Sequence, residues 1–234
     1  MRDLSIFLVA PIGPFAIGQA FLRAFSEMGH RVFFLNYLDY FPIAPRRRDR
    51  LIARLTRGRR LEHYNRMIRE NAVRLRPDVL IVSKGNDIYG RTLEFLRKHL
   101  PESVLVNINY DDFFSRAPSN YFAELQRVIP LYDWIFPAKK VNVPELLELG
   151  ARRVRYLPLG YDRTVHYPVF PGKDTIERYG GEVIFAGSYA PERARFLENI
   201  TDRRLNVWGG NWSRRRVSPE LWARIRRSGR NRFL

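Results

Sequence analysis

Short apolar runs alternate with amphipathic helical stretches along most of the chain, and this alternation limits the possible folds more than any other feature. The run Leu4–Val9 is followed by a helical stretch, Ala16–Met28, and by a second apolar run, His30–Asn36. This order and length are typical of a βαβ unit with two parallel strands. Further runs predicted to be strands are Asp78–Val82, Ser103–Ile108, Asp133–Phe136 and Val154–Leu157. The pattern predicts an α/β fold built on a Rossmann-like, doubly wound parallel sheet.

The alternation breaks once, in a segment rich in proline and glycine at residues 158–181. We therefore predict a first Rossmann-like domain at 1–157, an interdomain linker at 158–181 and the start of a second Rossmann-like domain at 182–234. In this second part we expect strands at Glu182–Ala186 and Leu205–Trp208, and helices at Pro191–Ile200 and Ser218–Arg227. About fifty residues are too few for a complete doubly wound domain. We expect them to pack on the first domain, to be completed by a partner, or to belong to a truncated chain.

The formal net charge of +17 is concentrated in two segments. Residues 44–76 contain twelve arginines against three acidic residues and are predicted to form a basic, amphipathic helical insertion. Residues 202–234 contain ten arginines against two acidic residues. Two basic patches attract partners that carry phosphate, which include nucleotide-sugars, anionic lipids and nucleic acids. Solvated helix faces in an arginine-rich composition would produce the same counts.

The chain contains no cysteine and only four histidines. Disulfides, thiolate zinc sites, iron–sulfur clusters and cysteine nucleophiles are therefore excluded. We expect no bound metal and no cofactor, and a reducing compartment, the cytoplasm, as the location.

Polar residues follow several of the predicted strands, where parallel sheets bind their ligands. Gly13 follows the first strand and would let a phosphate or sugar approach the backbone, while Lys84 and Asn86 follow the strand at 78–82. The adjacent carboxylates Asp111 and Asp112 follow the strand at 103–108. Either carboxylate could act as a base or bind hydroxyl groups, and either could instead cap a helix or form an Asx turn.

A second group of candidates follows the two strands of the C-terminal part. Gly187, Ser188 and Tyr189 connect strand to helix, and Arg193 lies in the first turn of that helix. A small residue, a hydroxyl and an arginine at a helix N-terminus suit a diphosphate. Gly209 follows the next strand between tryptophans that would either stack on a ligand or fill the core. These residues predict a phosphate- or nucleotide-binding α/β protein.

Several phrases, taken in order, resemble one family, the spore-maturation-protein-like group of GT-B glycosyltransferases. The phrases are Gly29–Val32, Arg76–Asp78, Val82–Gly85, Asn109–Asp112, Leu131–Trp134, Lys139 with Val141 and Asn142, Gly150–Val154, Tyr156–Asp162, His166–Pro168, Phe185–Tyr189, Pro191–Arg193 and Val207–Gly209 with Trp212. They extend over residues 29–212, and the break at 158–181 falls where this family joins its two Rossmann-like domains.

The resemblance implies transfer of a sugar from a nucleotide-sugar donor to an acceptor, in a cleft between an acceptor domain and a donor domain and usually without metal. It makes Gly187, Ser188, Tyr189, Arg193 and Gly209 candidates for donor binding. Gly13, Lys84 and Asn86 are candidates for acceptor binding by their position. Asp111 and Asp112 are candidates for catalysis.

The acceptor is left open between a glycan, a lipid-linked molecule and a protein. Nothing after Trp212 matches the family's donor domain, so we expect a chain that lacks part of the donor site. The alternatives are a non-catalytic sugar- or nucleotide-binding remnant and a basic nucleic-acid-binding protein. No recognised nucleic-acid module is present, so no specific nucleic acid is expected. The basic segment 46–76 could instead rest on an anionic membrane at the inner face.

Overall fold

The computed structural model describes residues 3–42, 47–114, 124–203 and 205–227. The chain divides into two compact units, residues 1–166 and residues 167–234. The division falls inside the segment predicted to be a linker, and residues 158–166 belong to the first unit. Parts of two predicted segments, residues 44–46 and 228–234, lie outside the described residues.

The first unit has a five-stranded parallel sheet among its described residues, in the order β2-β1-β3-β4-β5. Its strands are β1 (Ser5–Ala10), β2 (Arg31–Asn36), β3 (Val79–Ser83), β4 (Val104–Asn109) and β5 (Trp134–Pro137). Its helices are α1 (Ile17–Glu27), α2 (Tyr37–Tyr40), α3 (Arg47–Leu55), α4 (Arg57–Leu75), α5 (Gly90–His99), α6 (Leu125–Val128) and α7 (Asn142–Glu148), with a 3-10 turn at Ile129–Leu131. The predicted fold class, a Rossmann-like α/β sheet, is confirmed.

Alternate residues of the central strands fill two separate apolar layers. Phe7, Leu80 and Leu105 pack on one face of the sheet with residues of α4 and α5. Ile6 and Leu8 pack on the other face with residues of α1. Both faces of a parallel sheet are thus covered by helices, which is why its strands are almost continuously apolar.

The second unit has a parallel three-stranded sheet, in the order β6-β7-β8, among the residues described there. Its elements are α8 (Lys173–Tyr179), β6 (Val183–Ala186), α9 (Pro191–Glu198), β7 (Leu205–Trp208), α10 (Pro219–Arg224) and β8 (Arg226–Arg227). A separate core forms around Leu197, Leu205 and Leu221, which are fully buried. The strand–helix alternation predicted for this part is therefore present.

Three predicted elements differ from the structure. The strand expected at 154–157 is a single bridge between Val154 and Ile135, because Pro137 accepts a hydrogen bond from Leu157 but has no N–H to continue the ladder. The helix expected at 218–227 ends at residue 224, and the following residues pair with β7. The segment 158–181 is not irregular throughout, since it contains α8.

The basic insertion is helical as predicted, in two consecutive helices. Thr56 separates α3 from α4, and its hydroxyl donates to the carbonyl oxygen of Ile52 at 2.8 Å. Such a bond competes with the backbone ladder and favours a break. In the part of the chain that the structure describes, no helix combines the length and apolarity that crossing a bilayer requires.

Candidate functional site

The carboxyl edge of the first sheet contains a topological switch point between β1 and β3. The chain leaves β1 toward β2 on one side and returns through β3 on the other. Loops that follow such neighbouring strands separate and leave a crevice, the usual ligand site of open α/β sheets. Gly13 lies in the first of these loops, and Lys84 and Asn86 lie in the second. A Cβ atom at Gly13 would meet only the Leu38 side chain, at 3.8 Å, so this loop leaves open space.

Both the backbone and the side chain of Lys84 contact residues at the end of β4. Its N–H donates to the carbonyl oxygen of Ile108 at 2.8 Å, and its own carbonyl oxygen accepts from Asn107 at 2.9 Å. Its ammonium group forms an ion pair with Asp111 at 2.6 Å. Lys84 and Gly85 both have left-handed backbones, with φ of 65° and 88°. A non-glycine residue in this conformation costs about 1–2 kcal/mol, so the fold maintains a strained lysine at this edge.

The two candidate carboxylates have different surroundings. Asp111 is half-exposed and contacts Lys84. Asp112 accepts hydrogen bonds from the Phe114 N–H at 2.9 Å and from the side chain of Asn142, which is fully buried, at 2.8 Å. Asp112 thus forms an Asx turn that joins the end of β4 to α7. Of the two, Asp111 is the carboxylate that remains accessible for chemistry.

A buried polar network supports the loop that carries Lys84. Asp87 accepts from Arg57 at 2.7 Å and from the Tyr37 hydroxyl at 2.6 Å. Burial, reinforced by the hydrogen bond to this carboxylate, raises the pKa of Tyr37. The side chain of Asn65, on α4, donates to the backbone carbonyl of Asp87 and accepts from the Tyr89 N–H, both at 2.9 Å. The basic helix α4 therefore holds this loop in place.

The sequence gives no sign of this network. Its members lie on α2, α4 and the loop after β3, and they come together only when the sheet is formed.

A cavity of about 710 Å³ lies in the first unit between α1, the end of β4 and the segment 157–166. Its walls are mainly apolar, and those that α1 and the preceding loop contribute include Phe15, Ala16, Ala20 and Phe21. A cavity of this size and lining is typical of small-molecule sites. Neither Gly13 nor Lys84 lines it, and its walls come from segments that lie far apart in the sequence.

The segment 157–166 is tied to α1 by two ion pairs. Arg23 contacts Asp162 at 2.6 Å, and Arg163 contacts Glu27 at 3.0 Å. Hydrogen bonds from the backbone and hydroxyl of Thr164, and then the guanidinium of Arg23, lower the pKa of Asp162. We call residues 157–166 the strap, because they form the outer wall of the cavity.

Asn109 contributes a buried polar group to the cavity wall. Its side-chain oxygen accepts from the Asp111 N–H at 3.0 Å, which fixes the orientation of the amide. Its Nδ2 atom is buried and has no hydrogen-bond partner among the described residues. A buried donor without a partner costs about 1–3 kcal/mol.

The candidate donor residues lie together at the carboxyl edge of β6 and β7. The Gly187 N–H donates to the Trp208 carbonyl at 2.7 Å, and the Tyr189 N–H donates to the Gly210 carbonyl at 2.9 Å. Gly209 has φ of 144°, and a Cβ atom there would overlap the carbonyl oxygen of Gly187. The two backbones therefore approach as closely as they do because residue 209 has no side chain.

The N-terminus of α9 adjoins this edge. Its N-cap, Ala190, makes no side-chain cap, and Pro191 occupies the first helical position. Arg193 lies in the first turn, and its guanidinium donates to the Ser188 carbonyl at 2.7 Å. Glu192 in the same turn partly offsets this positive charge. A helix N-terminus without a cap and an adjacent arginine together suit an anion.

The aromatic residues beside this edge have a structural role. Trp212 is buried, and its indole N–H donates to the Gly187 carbonyl at 2.8 Å. The ring of Tyr189 packs edge-to-face on Trp212, with centroids 5.4 Å apart. The guanidinium of Arg216 lies 5.5 Å from the centroid of the Tyr189 ring. Trp212 thus belongs to the core, whereas the Tyr189 ring is held at its boundary.

Across the residues that the structure describes, no three histidine or acidic side chains are grouped so as to hold a metal ion. The candidate residues thus lie at two separate strand edges, one in each unit, and the cavity lies in the first unit.

Taken together, the parallel strand order, the switch point and the helix-bordered strand edges define an α/β protein of Rossmann-like units. No family model matches the sequence, and no curated protein matches it. The resemblance to the spore-maturation-like group therefore stays a prediction.

Solved structures do match the fold. The chain resembles the structure described as "S. aureus MnaA-UDP co-structure" with a TM-score of 0.55 and 14% sequence identity, covering 96% of this chain and 67% of that one. Matches with TM-scores of 0.49 and 0.47 are Glycyrrhiza uralensis UGT73P12 complexed with glycyrrhetinic acid 3-O-monoglucuronide and CalG4, the calicheamicin glycosyltransferase. Their sequence identities are 8% and 12%, and they cover 95% and 94% of this chain and 66% and 68% of their own. The chain thus spans about two thirds of the length of each structure.

Proposed function

We propose that the chain functions in nucleotide-sugar-dependent glycosyl transfer, with the second unit binding the diphosphate of the donor. The observation that carries the proposal is the N-terminus of α9, which has no side-chain cap, with Arg193 in its first turn beside the edge of β6 and β7. A diphosphate placed there would meet backbone N–H groups, the positive end of the helix dipole and Arg193. The fold similarity to a protein solved with UDP is consistent with this assignment.

The proposed chemistry is electrostatic. As the bond between the sugar and the diphosphate breaks, negative charge develops on the departing diphosphate. Arg193 now contacts the Ser188 carbonyl, and the same guanidinium would turn to form charge-assisted hydrogen bonds with the phosphate oxygens. In this proposal the helix and the arginine do what a metal ion would otherwise do, and no cofactor takes part.

The acceptor side is proposed for the first unit. Its cavity, whose walls are mainly apolar, would take an apolar part of the acceptor. Asp111, which follows β4 and pairs with Lys84 of the loop after β3, is the proposed base that would remove the acceptor proton. Lys84 would contact the sugar or the acceptor hydroxyl. The acceptor class remains open between a glycan, a lipid-linked molecule and a protein.

The first test is a thermal-shift screen of the whole chain against nucleoside diphosphates and nucleotide-sugars. A ligand at a hundred times its Kd should raise the stability of the unit that binds it by about 2.7 kcal/mol. Arg193→Ala should abolish this shift. Arg195→Ala is the matched control, because Arg195 lies on the same helix with its side chain exposed, and it should retain the shift.

The outcomes separate the candidate functions. A shift together with transfer of sugar supports the proposal, whereas a shift without transfer to any acceptor supports the binding-module alternative. A folded chain that no nucleotide or nucleotide-sugar stabilises would contradict both. Ala20→Phe, which fills the cavity, should weaken acceptor binding and leave the donor shift unchanged.

A further inference from the structure

Helix α3 has an apolar face that is exposed to solvent. Leu51, Ile52 and Leu55 are 59%, 52% and 77% exposed. At about 100° per residue these three side chains fall within an arc of about 100° on one side of the helix. Exposed aliphatic side chains grouped on one helix face indicate a surface that contacts another apolar phase.

The direction of this face follows from the helix that continues α3. Thr56, between α3 and α4, keeps near-helical dihedrals of −91° and −3°, its N–H donates to Ile52 at 2.9 Å, and its carbonyl accepts from Arg60 at 3.1 Å. The two helices therefore continue one another with little change of phase. The face of α4 that packs on the sheet contains Tyr64, Asn65, Ile68 and Ala72.

Extending the helical phase through Thr56 places the apolar face of α3 about 130° around the helix from that packed face. The three aliphatic side chains are thus directed away from the sheet.

Arginines of α4 share this outward side. When 100° per residue is continued from α3 into α4, Arg59 and Arg66 fall within the same arc of the helix as the aliphatic side chains. They line a shallow groove of about 480 Å³, together with Gly58, Glu62, His63 and Arg69. Three arginines against one glutamate give the groove a positive charge. The outward side of α3 and α4 therefore has an aliphatic half followed by a half with a net positive charge, in which Glu62 and Glu70 offset part of the arginine charge.

We propose that this side of α3 and α4 docks on an anionic lipid surface, with the aliphatic side chains among the acyl chains and the arginines at the lipid phosphates. Interfacial helices combine an apolar face with arginine or lysine in this way. A single-stranded nucleic acid would account for the arginines, but its bases stack on aromatic rings rather than on leucine and isoleucine. This inference does not depend on the proposed sugar transfer.

The test is co-sedimentation of the whole chain with vesicles of phosphatidylglycerol and phosphatidylcholine in equal parts. Replacing Leu51, Ile52 and Leu55 with serine should reduce vesicle affinity about ten- to one-hundred-fold. The matched control, Met28→Ser with Leu147→Ser, removes two comparably exposed apolar side chains of the first unit and should bind like the wild type. Arg59→Gln with Arg66→Gln should reduce affinity about thirty-fold.

The results are read against vesicles of phosphatidylcholine alone and against an arbitrary single-stranded RNA. Binding to the anionic vesicles that requires both the aliphatic side chains and the arginines supports the proposal. Wild-type affinity of the triple serine variant would overturn it, as would failure of the wild type to bind at low salt. Tight RNA binding that needs the arginines but not the aliphatic side chains would assign the surface to nucleic acid instead. Circular dichroism confirms that each variant is folded.

Discussion

The contact between Gly187 and Gly209 gives the sharpest prediction for the second unit. Gly209→Ala would place a methyl group on the carbonyl oxygen of Gly187 and 2.9 Å from the Ser188 nitrogen. The backbone at Gly209, with φ of 144°, is one that side-chain-bearing residues rarely adopt, which costs about 1–3 kcal/mol. Relieving the overlap requires the Gly187 carbonyl to move away from the Trp212 indole, which donates to it at 2.8 Å.

The expected cost follows from these contributions. Losing that hydrogen bond and weakening the adjacent backbone bond of Gly187 costs about 1 kcal/mol each. Together with the backbone strain, Gly209→Ala should lower the free energy of unfolding by about 3–5 kcal/mol. A unit of the size of residues 167–234 has a stability of about 3–10 kcal/mol. We therefore expect this variant to lose much or all of the stability of the second unit.

Denaturant unfolding followed by tryptophan fluorescence measures this effect. Three of the four tryptophans, Trp208, Trp212 and Trp222, lie in the second unit and report on it. Gly210→Ala is the matched control, because a Cβ there would make an ordinary contact of 3.7 Å with the Ser188 hydroxyl. Its transition should stay within about 1 kcal/mol of the wild type. If Gly209→Ala unfolds at the same denaturant concentration as Gly210→Ala, the close approach of the two strand edges does not stabilise this unit.

Three further predictions concern the first unit. Asn65→Ala should lower the free energy of unfolding of this unit by about 2–3 kcal/mol in urea, because buried partners lose their hydrogen bonds. Asn71→Ala, on the same helix, loses only hydrogen bonds within the helix and should cost under about 0.5 kcal/mol in the same assay. Asp133→Asn should cost about 2–3 kcal/mol in the same assay, because it leaves the largely buried Arg97 without its carboxylate; an unchanged midpoint would refute this. The lowered pKa of Asp162 means that its contribution to strap attachment is present above its unfolded pKa, near 4, and is lost as the pH falls through the lower folded value. The protection factors of the strap amides, taken relative to intrinsic exchange at each pH, should therefore fall only in strong acid.

The strands of the first sheet were predictable because each is an uninterrupted apolar run buried on both faces. The ends of these and other elements were less predictable from the sequence, since tertiary pairing decides where an element ends. The segment after residue 224 is helical by composition, yet Ile225 is buried in the second core and its neighbours pair with β7. Burial and strand pairing thus override local propensity there. Gly172 and Gly180 suggested an irregular linker, but they flank α8 instead.

The candidate site was predictable where a single strand end defines it. The loops after β1, β3, β4, β6 and β7 contain all the residues expected there, and the ion pair of Lys84 with Asp111 joins two of them. Their roles stay predictions. The cavity and the network around Asp87 could not be foreseen, because they join residues far apart in the sequence. Nothing near Arg23 in the sequence indicates that its partner is Asp162.

The ion pair between Arg23 and Asp162 also has a consequence for the order in which the first unit folds. It joins residues 139 positions apart, whereas β1 and β2 pair through a single helical crossover. Contacts of long sequence separation carry a larger loop-closure cost and tend to form after local ones. During synthesis the strap also follows every strand of its sheet along the chain. The sheet can therefore form before the strap adds the outer wall of the cavity. A ligand bound in this cavity would stabilise the attached strap, but the sheet would not need that ligand in order to form.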